Sequence, residues 1–115
     1  PKAGVEHRII NLEKGSPLVH EAVQRMLQEI DAARRHGCGI MILIHGYGSS
    51  GKGGAIRREV RRRLDLMRHQ HEINDMLLGE KIGMRSGHCR QLQRRFPFLA
   101  PYLKRSNPGI TFIVL

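Results

Sequence analysis

A histidine, a run of glycines and two basic side chains follow one another in an order that suits the binding of an anion. His45 precedes five glycines at positions 46 to 54, with Lys52 among them and Arg57 just beyond. Glycines let a backbone adopt positive φ values and approach a ligand closely. If a helix begins after them, its free N–H groups and its dipole favour a phosphate. The sequence thus predicts a phosphate-binding loop made of Gly46, Tyr47, Gly48, Ser49, Ser50, Gly51, Lys52, Gly53 and Gly54.

The residues after this loop have the spacing of an amphipathic helix with a basic outer face. Apolar side chains recur every three or four residues from about Ala55 to Arg68, which predicts a helix with one buried side. The inward residues are Ile56, Val60, Leu64 and Met67, and the outer residues are Arg57, Arg58, Arg61, Arg62 and Arg63. We expect Lys52, Arg57, Arg58, Arg61 and Arg62 to contact successive phosphates of an extended anionic ligand.

The balance of charge indicates what that ligand is. The 115 residues carry a formal net charge of +10, from 20 basic and 10 acidic side chains. Residues 37–115 hold 14 of the basic and five of the acidic side chains, and residues 85–105 form a second basic segment without any acid. Arginine, which suits bidentate contacts with phosphate, outnumbers lysine by 15 to five. This composition predicts a nucleic-acid partner, either DNA or RNA. Aromatic residues make up only 4%, so a platform of stacked bases is not the expected main mode of recognition.

The cysteines and the apolar runs bear on where the protein acts. Cys38 and Cys89 stand alone without a disulfide framework, which is typical of a reducing compartment. No signal peptide is evident, and the longest apolar run, Ile40–Ile44, is too short to span a bilayer. We therefore expect a cytoplasmic protein without a membrane partner.

The remaining patterns predict a compact α/β sandwich with the order β-α-β-α-β-(α)-β and a mixed four-stranded sheet. Strands are predicted over residues 8–13, 39–45, 72–78 and 110–115, the last closing the sheet. The first helix is predicted to have Ser16 as its N-cap and to stop at Gly37, and a short helix is predicted over residues 88–95. Residues 1–7 are assigned to an N-terminal arm and residues 8–115 to a single domain.

The glycine loop also fits a different ligand, a nucleotide or a polyphosphate. Gly46, Gly51 and Lys52 match the Walker A pattern up to its last position, where Gly53 replaces the hydroxyl residue that binds Mg²⁺. The run GKGGAI is also similar to the phosphate loop of the polyphosphate kinase family. No later predicted strand ends in an Asp that could hold Mg²⁺, so this interpretation is kept as the alternative to nucleic-acid binding.

The segment IHGYGSSGKGGAIRREVRRRL resembles the core motif of the Smr (small MutS-related) domain. In that family a strand ends in His-Gly-x-Gly and leads through a glycine turn into a helix that opens with a basic residue. The resemblance includes the preceding helix and the closing NPGITFIVL, so that it covers roughly residues 8–115. It implies an Smr-like fold, similar to the C-terminal domain of bacterial initiation factor three.

The resemblance implies nucleic-acid or ribosome binding, or endonuclease activity that nicks DNA or cleaves RNA. The His-Gly-x-Gly motif maps onto residues 45–48, and the family's Leu-Asp-x-His motif onto residues 10–13, where Asn11 replaces the Asp and Glu13 replaces the His. Asn cannot act as a general base, so His45 and Glu13 are the candidate catalytic pair, and binding is favoured over cutting. No cofactor is predicted, apart from a divalent metal if the domain is catalytic. His69 and His71 lack a third ligand and are interpreted as turn residues.

Overall fold

Four strands form one mixed sheet that has helices on both faces. The computed structural model describes residues 7–46, 53–83 and 87–115. The strands are β1 (His7–Asn11), β2 (Ile40–Ile44), β3 (Asp75–Leu78) and β4 (Ile110–Val114), in the spatial order β1-β2-β4-β3. β1 and β2 are parallel, whereas β4 is antiparallel to both β2 and β3. The predicted α/β class and mixed four-stranded sheet are confirmed.

The two inner strands are the most apolar in the sequence. β2 lies between β1 and β4, and its residues from Ile40 to Leu43 are all buried, as a strand covered on both faces requires. β4 is buried along its whole length. The sequence suggested that this strand closes the sheet, but it inserts between β2 and β3 because its residues are apolar on both faces and suit an interior position.

Two long helices cover one face of the sheet. Helix α1 (Val19–Arg35) begins at Leu18, whose N–H donates to the Glu21 carboxylate over 2.8 Å. The N-cap therefore lies two residues beyond the predicted Ser16, which adopts a left-handed φ of 49° in the preceding turn. The predicted stop is confirmed, because Gly37 has a φ of 71° and its N–H donates to the carbonyl of Arg34.

Helix α2 (Gly53–His69) buries the four apolar residues predicted to face inward. It ends in a turn where His71 takes a left-handed φ of 61° and the N–H of Glu72 donates to the carbonyl of Met67. This turn uses residues that were predicted to open the third strand, so β3 is shorter than expected and starts at Asp75.

Shorter helices cover the opposite face. These are a 3₁₀ helix (Gly79–Lys81), helix α3 (Gly87–Arg95) and a second 3₁₀ helix (Pro97–Tyr102). They pack their apolar residues against Phe112 and Ile42 in a core separate from that under α1 and α2. The ring of His7, a residue assigned to the arm but found at the start of β1, stacks on Phe98 with ring centroids 4.5 Å apart.

One edge of the sheet collects the ends of three strands. β1, β2 and β3 run in the same direction, so their carboxyl ends lie together beside the start of β4. In the register of the sheet, Asn11 pairs with Ile44, and Ile44 pairs with Ile110. This carboxyl edge is the usual location of ligand sites in open α/β sheets. In the described part of the chain, no helix has the length and apolar character needed to cross a membrane.

Candidate functional site

His45 follows β2 at the carboxyl edge, and its side chain is fully buried. Its ring Nδ1 lies 2.7 Å from the carbonyl oxygen of Gly46, and its Nε2 lies 2.8 Å from the hydroxyl of Thr111 on β4. A carbonyl oxygen can only accept, so Nδ1 carries a proton. In the neutral ring Nε2 is then an acceptor, and the Thr111 hydroxyl donates to it.

Arg61 on α2 completes this network from the other side. Its Nε–H donates to the Thr111 hydroxyl oxygen over 3.1 Å, which is consistent with that hydroxyl giving its proton to His45. Its two terminal nitrogens donate to the Glu80 carboxylate over 2.8 and 2.7 Å, and one of them also donates to the carbonyl of Ile110. Each donor thus faces one acceptor, from Arg61 through Thr111 to the imidazole, and the Arg61 side chain is only 14% exposed.

The network favours a neutral imidazole. Burial lowers the pKa of His45 to about 4, the hydrogen bond to Gly46 opposes this shift, and the charges of Arg61 and Arg57 add to it. A second proton on the ring would turn Nε2 into a donor, and the buried Thr111 hydroxyl would then lose the acceptor for its own proton. Burial works to raise the pKa of the Glu80 carboxyl, but the hydrogen bonds and charge of Arg61 outweigh it and hold that pKa below its usual value. At neutral pH His45 is uncharged and Glu80 is ionised.

Backbone contacts fix the turn that follows His45. The N–H groups of His45 and Gly46 both donate to the carbonyl of Gly109, over 2.9 and 3.1 Å. The Asn107 side chain in turn accepts from the N–H of Gly109, and the Asn107 N–H donates to the carbonyl of Gly79 at the end of β3. The Asn-Pro-Gly turn of residues 107–109 therefore ties together the carboxyl ends of β2 and β3.

The backbone of Gly46 favours glycine, because its φ is 75°, which other residues rarely adopt. A Cβ at this position would fall where the end of the exposed Glu13 side chain lies, and that side chain can move aside. Glu13 therefore lies against the residue that follows His45, as expected for neighbouring parallel strands. The hydrogen bonds of the His45 ring go to Gly46 and Thr111, and none joins it to Glu13 among the described residues. Asn11 closes a local turn by accepting from the N–H of Glu13 over 2.9 Å.

The predicted phosphate-binding residues fall into three groups. Tyr47, Gly48, Ser49, Ser50, Gly51 and Lys52 lie outside the described residues, as does most of the Walker-like pattern. Gly53 and Gly54 open α2, where Arg57 is partly exposed and Arg58 is exposed. Arg61 is held inside the network, and the exposed Arg62 forms an ion pair with Glu59 one turn earlier. The structure therefore brings Arg57 and Arg61 towards His45 and leaves Arg58 and Arg62 at the surface.

The other basic segment covers α3 and the turn after the second 3₁₀ helix. Arg90, Arg94, Arg95, Lys104 and Arg105 are all exposed. Arg85 lies outside the described residues. The exposed positions are consistent with the predicted second basic face.

Local contacts account for the positions of His69 and His71. The Nδ1 of His69 lies 2.8 Å from the carbonyl oxygen of Asp65, and His71 occupies the turn that ends α2. Across residues 7–46, 53–83 and 87–115, no three His, Cys, Asp or Glu side chains are grouped in a way that could hold a metal ion.

Sequence reasoning missed Thr111 and Glu80, which hold His45 and Arg61 in place. Thr111 was visible as the one polar residue in the apolar segment ITFIVL, and Glu80 as an acid just after a strand at the carboxyl edge. The role of either residue can be recognised only when its neighbours across the sheet are known. Thr111 lies 66 residues from His45 along the chain, and Glu80 lies 19 residues from Arg61.

A comparison with known protein families shows to which family the chain belongs. The family model described as Smr domain matches residues 17–80, from the start of α1 to the end of β3. The chain belongs to the Smr domain family. This confirms the resemblance drawn from the His-Gly-x-Gly segment and supports a nucleic-acid-binding role. No curated protein and no solved structure matches the chain.

Proposed function

We propose that this Smr domain binds nucleic acid through backbone phosphates, using the loop of residues 46–54 and the first turns of α2. The observation that carries the proposal is that most acidic side chains near this site already form ion pairs within the protein. Of the five acids in residues 37–115, four already have a basic partner: Glu59 with Arg62, Asp65 with Arg68, Asp75 with His88 and Glu80 with Arg61.

The basic residues at the start of α2 are left without such compensation. Within the described residues no ion pair is found for Arg57 or Arg58, and the first turn of the helix contains no acid. A helix N-terminus adds a partial positive charge at the same place. Uncompensated positive charge at the carboxyl edge of the sheet is the arrangement that a line of phosphates would neutralise.

The basic residues of α2 therefore divide by role in this proposal. Arg57 and Arg58, with Lys52 in the loop, contact phosphate. Arg62 contacts phosphate once its ion pair with the neighbouring Glu59 is broken. Arg61 keeps its hydrogen bonds to Glu80 and Thr111 and holds the His45 turn in position. Residues 8–115 form a single domain in this proposal, because β1 and β4 belong to the same sheet.

Salt dependence tests the proposal directly. If three to five phosphates are neutralised, the logarithm of the affinity for a DNA duplex should fall with the logarithm of salt concentration with a slope of about −3 to −4.5. Fluorescence anisotropy with a labelled oligonucleotide over a range of salt concentrations measures that slope. Affinity that does not change with salt would refute phosphate contacts as the source of binding.

A pair of charge-matched variants locates the contacts. Changing Arg57 and Arg58 to Ala together should reduce the size of the slope by about 2, because each lost phosphate contact contributes about 0.9. Changing Arg34 and Arg35 to Ala removes the same charge from the last turn of α1, at the opposite edge of the sheet, and should leave the slope nearly unchanged. Equal effects of the two double variants would show that only net charge matters.

Endonuclease activity is the second candidate, and the position of Glu13 favours it. The Glu13 carboxylate is exposed at the carboxyl edge against Gly46, whereas both nitrogens of the His45 ring are hydrogen bonded. In this arrangement Glu13 is the accessible acid–base group, and His45 orients the loop. Incubation with supercoiled plasmid and structured RNA tests cleavage, and activity that survives both Glu13→Gln and His45→Ala would come from other residues.

Co-sedimentation with ribosomes without cut products would instead identify a ribosome-binding module.

A further inference from the structure

A groove lies on the face of the sheet opposite His45, between the sheet and the turn that follows the second 3₁₀ helix. Its floor is formed by apolar side chains of β1, β2 and β4, including Ile9, Ile44 and Ile110, and its wall by Pro101, Tyr102 and residues 104–107. The volume is about 570 Å³. This lies within the range of sites that hold a small organic molecule.

The floor of the groove is open to solvent. Ile9 on β1 is 44% exposed, which is unusual for a β-branched residue on the inner side of a covered sheet face. The second 3₁₀ helix covers β2 and β4 but leaves the carboxyl end of β1 uncovered, and Tyr102, which packs against the core of this face, is partly exposed at the boundary. The groove therefore offers an apolar surface with one aromatic ring at its side.

The rim of the groove is positively charged. Lys104 and Arg105 are both exposed on its wall, and residues 81–115 contain no Asp or Glu at all. Of the acids at the same edge of the sheet, Glu80 is paired with Arg61 and Glu13 lies against Gly46, and neither lines the groove. The occupant that matches this groove is apolar in one part and anionic in another.

We infer that this groove takes one unpaired nucleotide, with the base on the apolar floor beside Tyr102 and its phosphates against Lys104 and Arg105. Base stacking on a single aromatic ring tolerates any sequence, since every base has a π-face. Ile44 lines the groove and His45, the next residue, points to the other face, so the groove and the loop proposed to bind phosphate share one edge. The inference rests on the proposed nucleic-acid binding and specifies its target: single strands, or duplexes with an unpaired nucleotide, are preferred over blunt duplex.

Two variants that differ only in place provide the test. Ile9→Glu puts a carboxylate into the groove, and Leu66→Glu puts one on the exposed side of α2; both wild-type side chains are 44% exposed, so neither change disturbs the core. Affinities are measured by anisotropy at fixed salt for a single-stranded oligonucleotide and a blunt duplex. Ile9→Glu should weaken single-strand binding about tenfold more than Leu66→Glu does, the effect expected for one lost stacked base. On the duplex the two variants should be equal.

A fluorescent base reports on the groove itself. A single-stranded oligonucleotide carrying one 2-aminopurine should change its emission on binding to the wild type and to Tyr102→Phe, but much less with Ile9→Glu or Tyr102→Ala. If Ile9→Glu and Leu66→Glu weaken single-strand and duplex binding alike, the inference is overturned while phosphate binding stands. Loss of affinity for an acidic, aromatic-containing peptide in Ile9→Glu, with unchanged oligonucleotide affinity, would overturn it in favour of a protein occupant. Absence of any salt-dependent binding would instead remove the proposed function.

Discussion

Acidification should destabilise this domain through one buried side chain. The pKa of His45 is about 4 in the folded protein, mainly because burial disfavours the charged ring, against 6.5 for an exposed imidazole. The folded pKa lies below the unfolded one, so the unfolded chain binds a proton between them that the folded chain does not bind. This contribution to stability is complete above about pH 6.5 and is lost as the pH falls towards 4. At about 1.36 kcal/mol per pH unit, the loss is about 2 kcal/mol at about pH 5 and about 3 kcal/mol in full.

Urea unfolding at about pH 7.5 and about pH 5 measures this loss. His45→Gln removes the titrating group, keeps an acceptor for the Thr111 hydroxyl and should lose about 2 kcal/mol less than the wild type between the two pH values. His20→Gln, at an exposed position on α1, controls for the removal of an imidazole as such. An NMR titration of the wild type reads the His45 pKa directly even if the variant does not fold. The same pH dependence in wild type and His45→Gln, or a titration of His45 near pH 6.5, would refute the buried network.

Two further predictions concern the residues that hold the site together. Thr111→Val removes the hydroxyl that lies between Arg61 and the imidazole; it leaves two buried polar groups without a partner and should cost about 3 kcal/mol in urea unfolding, whereas Thr111→Ser should cost much less. A valine variant as stable as the wild type would contradict the bridging role. Gly46→Ala should destabilise the fold by about as much as Gly15→Ala, since both glycines have a left-handed φ, of 75° and 85°, and the Cβ added at Gly46 meets only the end of the flexible, exposed Glu13 side chain, which can move aside. Urea unfolding of each variant should give a cost of about 1–2 kcal/mol. A much larger cost at Gly46 would contradict this account and show that Glu13 is held rigidly against the turn.

The order of the elements and most of the core could be read from the sequence. The apolar run of β2 and the helical spacing of Ile56, Val60, Leu64 and Met67 are local patterns, and each is set by burial of the residues that form it. The left-handed stop at Gly37 was also readable, because it depends on one residue's φ preference. The ends of the elements were harder to predict. β3 is shorter than predicted because the turn that follows α2, at His71, includes residues with strand-like composition.

The candidate site was readable only in part, because its contacts are distant along the chain. The spacing of α2 put Arg61 on the outer face together with Arg57 and Arg58. Only the end of β3 places Glu80 under Arg61 and draws its side chain inward. Likewise, His45 was recognisable as part of a motif, but its buried state follows from β4, which supplies Thr111. The division between the arginines that face solvent and the one that holds the fold is a tertiary property.

The position of β4 in the middle of the sheet has a consequence for the order in which the domain folds. β1, α1 and β2 form a parallel unit from residues that are near one another in sequence, and such contacts can form early. The pairing of β2 with β4 must close a loop of about 66 residues, which slows its formation. On the ribosome, Thr111 would emerge long after His45, so the imidazole of a nascent chain would have no hydroxyl partner at first. The hydrogen-bond network around His45 would form last, when β4, the strand that joins both halves of the sheet, arrives.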